Sequence, residues 1–319
     1  MRLMVTGGAG FIGSNLVDRL VAEGHQVDVV DDLSTGKLSN LAEARAAGRE
    51  VFSFHQLDIR SPELIELVTR RRPEVIFHLA AQADVRISVE RPVFDAEVNI
   101  VGTLRVLEGA RAARVRRVVF AASGGTLYGE PADDELPVRE AAPHRPLSPY
   151  GVSKKSAIDY LVAYRELHSL EFCALALANV YGPRQDPHGE AGVVAIFAAK
   201  MLDGEPVTIF GDGDQTRDFV YVDDTVDAMV RAAERGGGLT LNIGTGAEVS
   251  VNSLYATMSS QLGGATPALP PVYAPERPGE IRRNALDPAR AAIHLGWRSF
   301  TPLETGLAAV IRSFGPGAR

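Results

Sequence analysis

Over roughly the first 180 positions, short apolar runs alternate with longer stretches in which apolar residues recur every three or four positions. The runs Leu3–Val5, Gln26–Val30, Val51–Phe54, Val75–Leu79, Arg117–Ala121 and Phe172–Leu177 read as strands. Phe11–Ala22, Pro62–Arg71, Val93–Ala113 and Tyr150–His168 carry helical periodicity. Such alternation predicts right-handed crossovers and an α/β fold with a parallel sheet covered on both faces. After Asn179, glycine and proline become frequent, elements shorten and the alternation breaks up. The predicted organisation is a doubly wound domain over residues 1–178 and a smaller α/β lobe over 179–319. The strand–helix stretch Phe219–Ala233 and the strand Thr240–Ile243 (residues 219–245) are expected to return to the first domain.

Two places carry chemistry. The turn Thr6-Gly7-Gly8-Ala9-Gly10-Phe11-Ile12-Gly13 leaves the first strand and opens the first helix. Glycines at 7, 10 and 13 permit a tight turn, close approach of backbone to a pyrophosphate, and close helix–strand packing. The helix N-terminus then offers unpaired N–H groups to phosphate. The second strand ends in Asp31-Asp32. An acidic side chain there accepts from the ribose hydroxyls of NAD and repels the 2′-phosphate of NADP. This is the pattern of a Rossmann domain binding NAD.

The second place is Ser148-Pro149-Tyr150-Gly151-Val152-Ser153-Lys154. Proline can begin a helix, and residues i and i+4 share one helical face, so Tyr150 and Lys154 can project into one site. A free phenol titrates near about 10, and a neighbouring cation favours its phenolate. That makes Tyr150 a candidate acid–base group. The spacing alone is common on solvated helices; its value depends on the NAD turn upstream.

Composition narrows the partners. Apolar residues make up 45% of the 319 positions and charged residues 23%, ordinary for a globular protein. The net charge of −7, without a basic stripe, gives no reason to expect nucleic-acid binding. One cysteine, Cys173, excludes an intramolecular disulfide. No apolar run approaches membrane-spanning length, and the first residues are too few for a signal-peptide core, so a cytoplasmic protein is expected.

Further motifs, in order, carry a resemblance. They are Asp58-Ile59, His78-Leu79-Ala80-Ala81-Gln82, Asn99, Ser123–Gly129, Asn179-Val180-Tyr181-Gly182-Pro183-Arg184, Phe210-Gly211-Asp212-Gly213, Thr216-Arg217-Asp218-Phe219-Val220 and Arg277-Pro278-Gly279. With the glycine turn and the Tyr150/Lys154 pair, the chain resembles the extended short-chain dehydrogenase/reductases, and within them nucleotide-sugar 4-epimerases of the UDP-glucose 4-epimerase type.

The resemblance implies roles along nearly the whole chain. Phe11 and Ile12 would give backbone N–H groups to the pyrophosphate, Asp31 would hold the adenosine ribose, and Asp58 with Ile59 would border the adenine. Leu79, Ala80, Ala81, Gln82 and Asn99 would line the cofactor cleft, with Asp32, Ser34 and Leu177 completing the set. Lys154 would also bind the nicotinamide ribose. Asn179, Val193, Thr208, Phe210, Arg217, Arg277 and Glu280 would hold UDP; arginine suits phosphate because its guanidinium forks two hydrogen bonds. A UDP-sugar is the implied substrate and a homodimer, paired through helix faces, the implied assembly.

One departure stands out. Where the best-known epimerases carry a serine or threonine four residues before the turn tyrosine, this chain has Gly124 before Tyr128. The hydroxyl for the sugar 4-oxygen is then expected from Thr126, with Ser123 second. The same loop disfavours dehydratase and decarboxylase chemistry, because Gly124, Gly125 and Thr126 cannot act as a general acid or base. In the hexose pocket, Asn284 stands seven residues after Arg277, where epimerases have a tyrosine, and could admit an N-acetyl group. Arg184 or Arg86 could instead meet a glucuronate carboxylate. Glucose/galactose ranks first, the N-acetyl pair second, glucuronate third. A non-catalytic NAD-binding protein and a product-releasing dehydrogenase are the rivals.

Overall fold

The computed structural model describes residues 1–188, 192–262, 268–276 and 281–315. Seven strands form one parallel sheet: β1 (Arg2–Thr6), β2 (Gln26–Asp31), β3 (Phe52–Gln56), β4 (Val75–His78), β5 (Arg117–Ser123), β6 (Glu171–Leu177) and β11 (Leu239–Ile243). Their order is β11-β6-β5-β4-β1-β2-β3, so the winding reverses between β1 and β4. The apolar runs read as strands are near-continuous because both faces are covered; Met4, Val5, Val29, Ile76, Phe77, Val118 and Leu175 are all buried.

The helices are α1 (Phe11–Ala22), α2 (Ala42–Ala46), α3 (Glu63–Arg71), α4 (Val85–Glu90), α5 (Pro92–Ala96), α6 (Gly102–Ala113), α7 (Gly124–Leu127), α8 (Pro149–His168), α9 (Val193–Leu202), α10 (Val222–Ala232), α11 (Val251–Gln261), α12 (Ala289–Leu295) and α13 (Leu303–Phe314). In one group α3 packs on α6 and α6 on α8; in the other α1 packs on α10 and α10 on α12.

The remaining strands are β7 (Asn179–Tyr181), β8 (Thr208–Phe210), β9 (Thr216–Arg217), β10 (Phe219–Tyr221), β12 (Val249–Ser250) and β13 (Val272–Ala274). They form three two-stranded sheets, β10–β7, β12–β9 and β13–β8. A second buried cluster, including Phe197, Met201, Ile209, Leu254, Met258 and Leu307, lies among these elements. α10 and β11 instead join the core of the large sheet through Val226, Met229, Leu241 and Ile243. Two ion pairs hold the loop after β7 to the large domain: Arg184 with Asp18 of α1 at 2.6 Å, and Lys37 with Asp186 at 2.9 Å.

The structure corrects one element. The helix expected over Val93–Ala113 is α5, a π-helical turn over Glu97–Val101, and then α6. Side-chain bonds accompany the wider turn. Asn99 turns inward and bonds the main chain of Gln82 in both directions, while Thr103 Oγ1 donates to the Asn99 carbonyl at 2.7 Å. Single π-turns inside helices commonly mark functional sites.

Candidate active site

The strand order reverses between β1 and β4, and the carboxyl ends of the strands at such a point are the usual place for a ligand crevice. At its floor, a Cβ on Gly13 would collide with the Gly7 carbonyl oxygen, and would stand 2.8 Å from Gly8 Cα. Only glycine lets α1 pack this closely on its own turn. α1 opens at Gly10, which has no side chain to cap it, so the first N–H groups are left for an anion.

Asp31 is 7% exposed at the end of β2. Its carboxylate accepts from Ala9 N and Leu33 N, both at 2.9 Å, which fastens the loop after β2 to the glycine turn. Burial pushes its carboxyl above the usual range, against the pull of those two bonds. Asp32 is exposed and accepts from the Ser34 amide and hydroxyl. Asp58 is held well below the ordinary carboxylate range by the Arg60 guanidinium. Asp58, Arg60, Ser61, Glu97 and Val101 line an open cavity of about 470 Å³. Buried Ile59 packs beneath it against Gly102.

α8 begins where the proline suggested. Ser148 caps it by accepting from Gly151 N at 3.2 Å, and Pro149 occupies the first turn, where its missing N–H costs nothing. Lys154 is 3% exposed. Its ammonium donates to the Ala121 carbonyl at 3.0 Å and lies 4.8 Å from the Phe120 ring centroid and 5.7 Å from that of Tyr150. The structure therefore brings the expected pair together, beside β5. Beneath them His78 bridges Thr6 Oγ1 (2.7 Å) and Thr103 Oγ1 (2.9 Å). Burial, and secondarily the Lys154 charge, lowers His78 to about 3, so it is a neutral tie between β1, β4 and α6.

The turn after β5 is the short helix α7. Its Tyr128 hydroxyl donates to Asn242 Oδ1 of β11 at 2.6 Å, and burial raises that phenol well beyond its ordinary value. Tyr128 is thus an anchor. Thr126 Oγ1 reaches the Ser123 carbonyl only at 3.5 Å, and both residues are half-buried. The structure gives a reason for Gly124: a side chain there would collide with Leu286 and approach the Ala176 carbonyl at 3.2 Å. Leu286 is itself held by its N–H to Asp218 at 3.2 Å.

Beyond β6, Asn179, Val193, Thr208, Phe210 and Arg217 are all half-buried; Asn179 N donates to the Asp218 carbonyl and Arg217 to the Thr216 carbonyl. Arg277 and Glu280 lie outside the described residues. Asn284 is 1% exposed, and neither its amide nitrogen nor its oxygen has a partner among the described residues. Arg86 and Arg184 each have an acidic neighbour: Arg86 donates to Asp84 of its own helix cap at 2.7 Å, and Arg184 forms an ion pair with Asp18 at 2.6 Å.

Sequence reasoning passed over three residues that the structure makes central. Asp218, fully buried, accepts from Thr245, Gly246 and Leu286 and so knits three loops at the site. Asp95 and Ser153 meet beneath α8 at 2.6 Å. Asp218 and Ser153 stand within motifs already noted; the signal for Asp95 was its i,i+4 spacing to Asn99.

A family model described as the NAD dependent epimerase/dehydratase family matches residues 3–244. The chain belongs to that family. Among its relatives, the UDP-glucose 4-epimerase of Mycolicibacterium smegmatis is 49% identical over 315 residues, covering 98% of each chain. The crystal structure of a UDP-glucose 4-epimerase from Thermotoga maritima with UDP-glucose superposes with a TM-score of 0.93, at 44% identity and 98% coverage of each chain. That of the Thermus thermophilus UDP-glucose 4-epimerase in complex with NAD gives 0.89, at 40% identity and full coverage of both. The family's NAD suits the residues present: an uncapped helix N-terminus after a glycine turn, with a buried carboxylate at the end of β2.

Proposed function

We propose that the protein interconverts UDP-glucose and UDP-galactose by inverting carbon 4 through a transient 4-keto sugar. The observation that carries this reading is the Tyr150–Lys154 pair beside β5, opposite a turn without acid or base. Tyr150, with the Lys154 ammonium 5.7 Å from its ring centroid, takes the proton from the sugar 4-hydroxyl. NAD, held at the glycine turn, would supply the hydride acceptor and donor for carbon 4. Between the two transfers the keto sugar turns about its phosphate linkage, and Tyr150 then reprotonates the new alkoxide. Gly7, Gly10, Phe11, Ile12, Gly13, Asp31, Asp58 and Asn99 are the cofactor's holders in this reading, Thr126 or Ser123 the donor to the 4-oxygen, and Arg217 with Arg277 the grip on pyrophosphate.

The division of labour follows the two lobes, with residues 1–178 and 219–245 holding NAD and the rest of 179–319 holding UDP. Pairing of Arg86 and Arg184 with Asp84 and Asp18 favours neutral sugars over glucuronate. The unpartnered amide of Asn284 supports a hydroxyl- or amide-bearing sugar, which keeps the N-acetyl pair as the second reading. The exposed apolar residues Val152, Val162 and Leu167 on α8, with Val89 and Val93 before the π-turn, support a homodimer through these faces. A cytoplasmic location fits the absence of any helix, among the described residues, long and apolar enough to cross a membrane.

Purified protein without added NAD should convert UDP-galactose to UDP-glucose, read by chromatography. No conversion by NAD-loaded protein overturns the proposal. Thr126→Val and Ser123→Ala assign the hydroxyl: the variant that loses turnover by about tenfold or more, with NAD retained, identifies the donor.

A further inference from the structure

Asp95 lies on α5, with no exposed surface. Oδ2 accepts from Ser153 Oγ of α8 at 2.6 Å. Oδ1 accepts from Asn99 Nδ2 and from Gln82 Nε2, both at 2.9 Å. Gln82 is held again by Asn99 through its main chain, and by Asp84 through its side chain. One buried carboxylate therefore ties together the loop after β4, the π-turn and α8. Bonds to a buried charge are about twice as strong as neutral ones, so this is a stiff joint.

Its attachment point on α8 is specific. Ser153 is 3% exposed, immediately precedes Lys154, and lies three positions after Tyr150 on the same helical face. Lys154 is fixed from the other side by the Ala121 carbonyl of β5. Two consecutive residues pinned to different elements set the roll of α8 about its axis. That roll decides where the phenol of Tyr150 points.

We propose that Asp95 is a positioning residue for the proton-transferring tyrosine, acting through Ser153, and at the same time for the loop 80–84 that borders the cofactor cleft. The assignment rests on the proposed role of Tyr150. Three neutral donors converge on the carboxylate, so Asp95→Asn turns part of it into a donor facing donors. Ser153→Ala cuts only the tie to α8, and Ser153→Thr keeps the hydroxyl.

In the NAD-loaded protein, kcat should fall about tenfold or more in Asp95→Asn and less in Ser153→Ala, because small misplacements of reacting groups are costly. KM for the UDP-sugar and NAD content per subunit should stay within twofold, and Ser153→Thr should recover most of the kcat. Unchanged kcat per NAD-loaded site with only a lower Tm, or a raised KM with kcat intact, would overturn the assignment. If the wild-type protein fails to turn over any UDP-hexose, the proposed function fails, and hydrogen exchange still judges this joint. Asp95→Asn should then speed exchange in segments 80–84 and 150–156 together, and unchanged exchange in either overturns it.

Discussion

The two halves of the crevice are built differently. Around the glycine turn and α8, buried polar side chains are engaged by the protein: Asp31 by the glycine turn, Asn99 by Gln82, His78 by two threonines, Lys154 by β5. Thr126, by contrast, has only a long contact, and the buried amide of Asn284 has no partner among the described residues. A preformed, satisfied surface binds with little further ordering, whereas a buried polar group without a partner costs about 1–3 kcal/mol until something meets it. The contrast fits a reaction in which NAD stays and the hexose must turn over.

The sharpest break in that contrast is Tyr150→Phe. Turnover should drop by about a thousandfold, the scale of lost acid–base catalysis, while NAD released on denaturation stays near one per subunit. Next comes Asp31→Ala, which should act on the other half alone. NAD retention through gel filtration should weaken by about tenfold to a hundredfold, with activity recovered at high added NAD.

The third acts on stability. The unfolded chain binds a proton at His78 below about pH 6.5, whereas the folded chain waits until about 3. The contribution of a neutral His78 is complete above pH 6.5 and declines as pH falls toward 3. At pH 5 the loss is about 2 kcal/mol. Denaturant melts should show this slope between pH 6.5 and 5, and a flatter one in His78→Gln. The smallest effect is expected at Asn284→Leu. Removing the unpartnered amide should raise stability by about 1 kcal/mol and lower kcat/KM a few-fold, the trade-off of a residue kept for a ligand.

Much of the cofactor half was legible in the sequence because it is local. A strand, a glycine turn and a helix lie within a few residues, and Tyr150 and Lys154 share one helix behind a proline. The rest depends on distant contacts. Gly124 looked like a lost hydroxyl until Leu286, far along the chain, proved to fill the space. Asp95 carried no motif, since its partners come from three segments. The π-turn is invisible to periodicity because one extra residue shifts the pattern only over a single turn. Arg184 reads from sequence as a candidate for a sugar carboxylate, and its ion pair with Asp18 of α1 shows only in three dimensions.

The central claim is that hydride leaves carbon 4 and returns within one binding event. Supplying UDP-galactose carrying deuterium at carbon 4, without added NAD, tests it directly by mass and NMR analysis of the product. The label should remain on carbon 4 of UDP-glucose, with no net rise in absorbance at the reduced-cofactor band. Deuterium washed out to solvent, or reduced cofactor accumulating with a released keto sugar, would contradict the account.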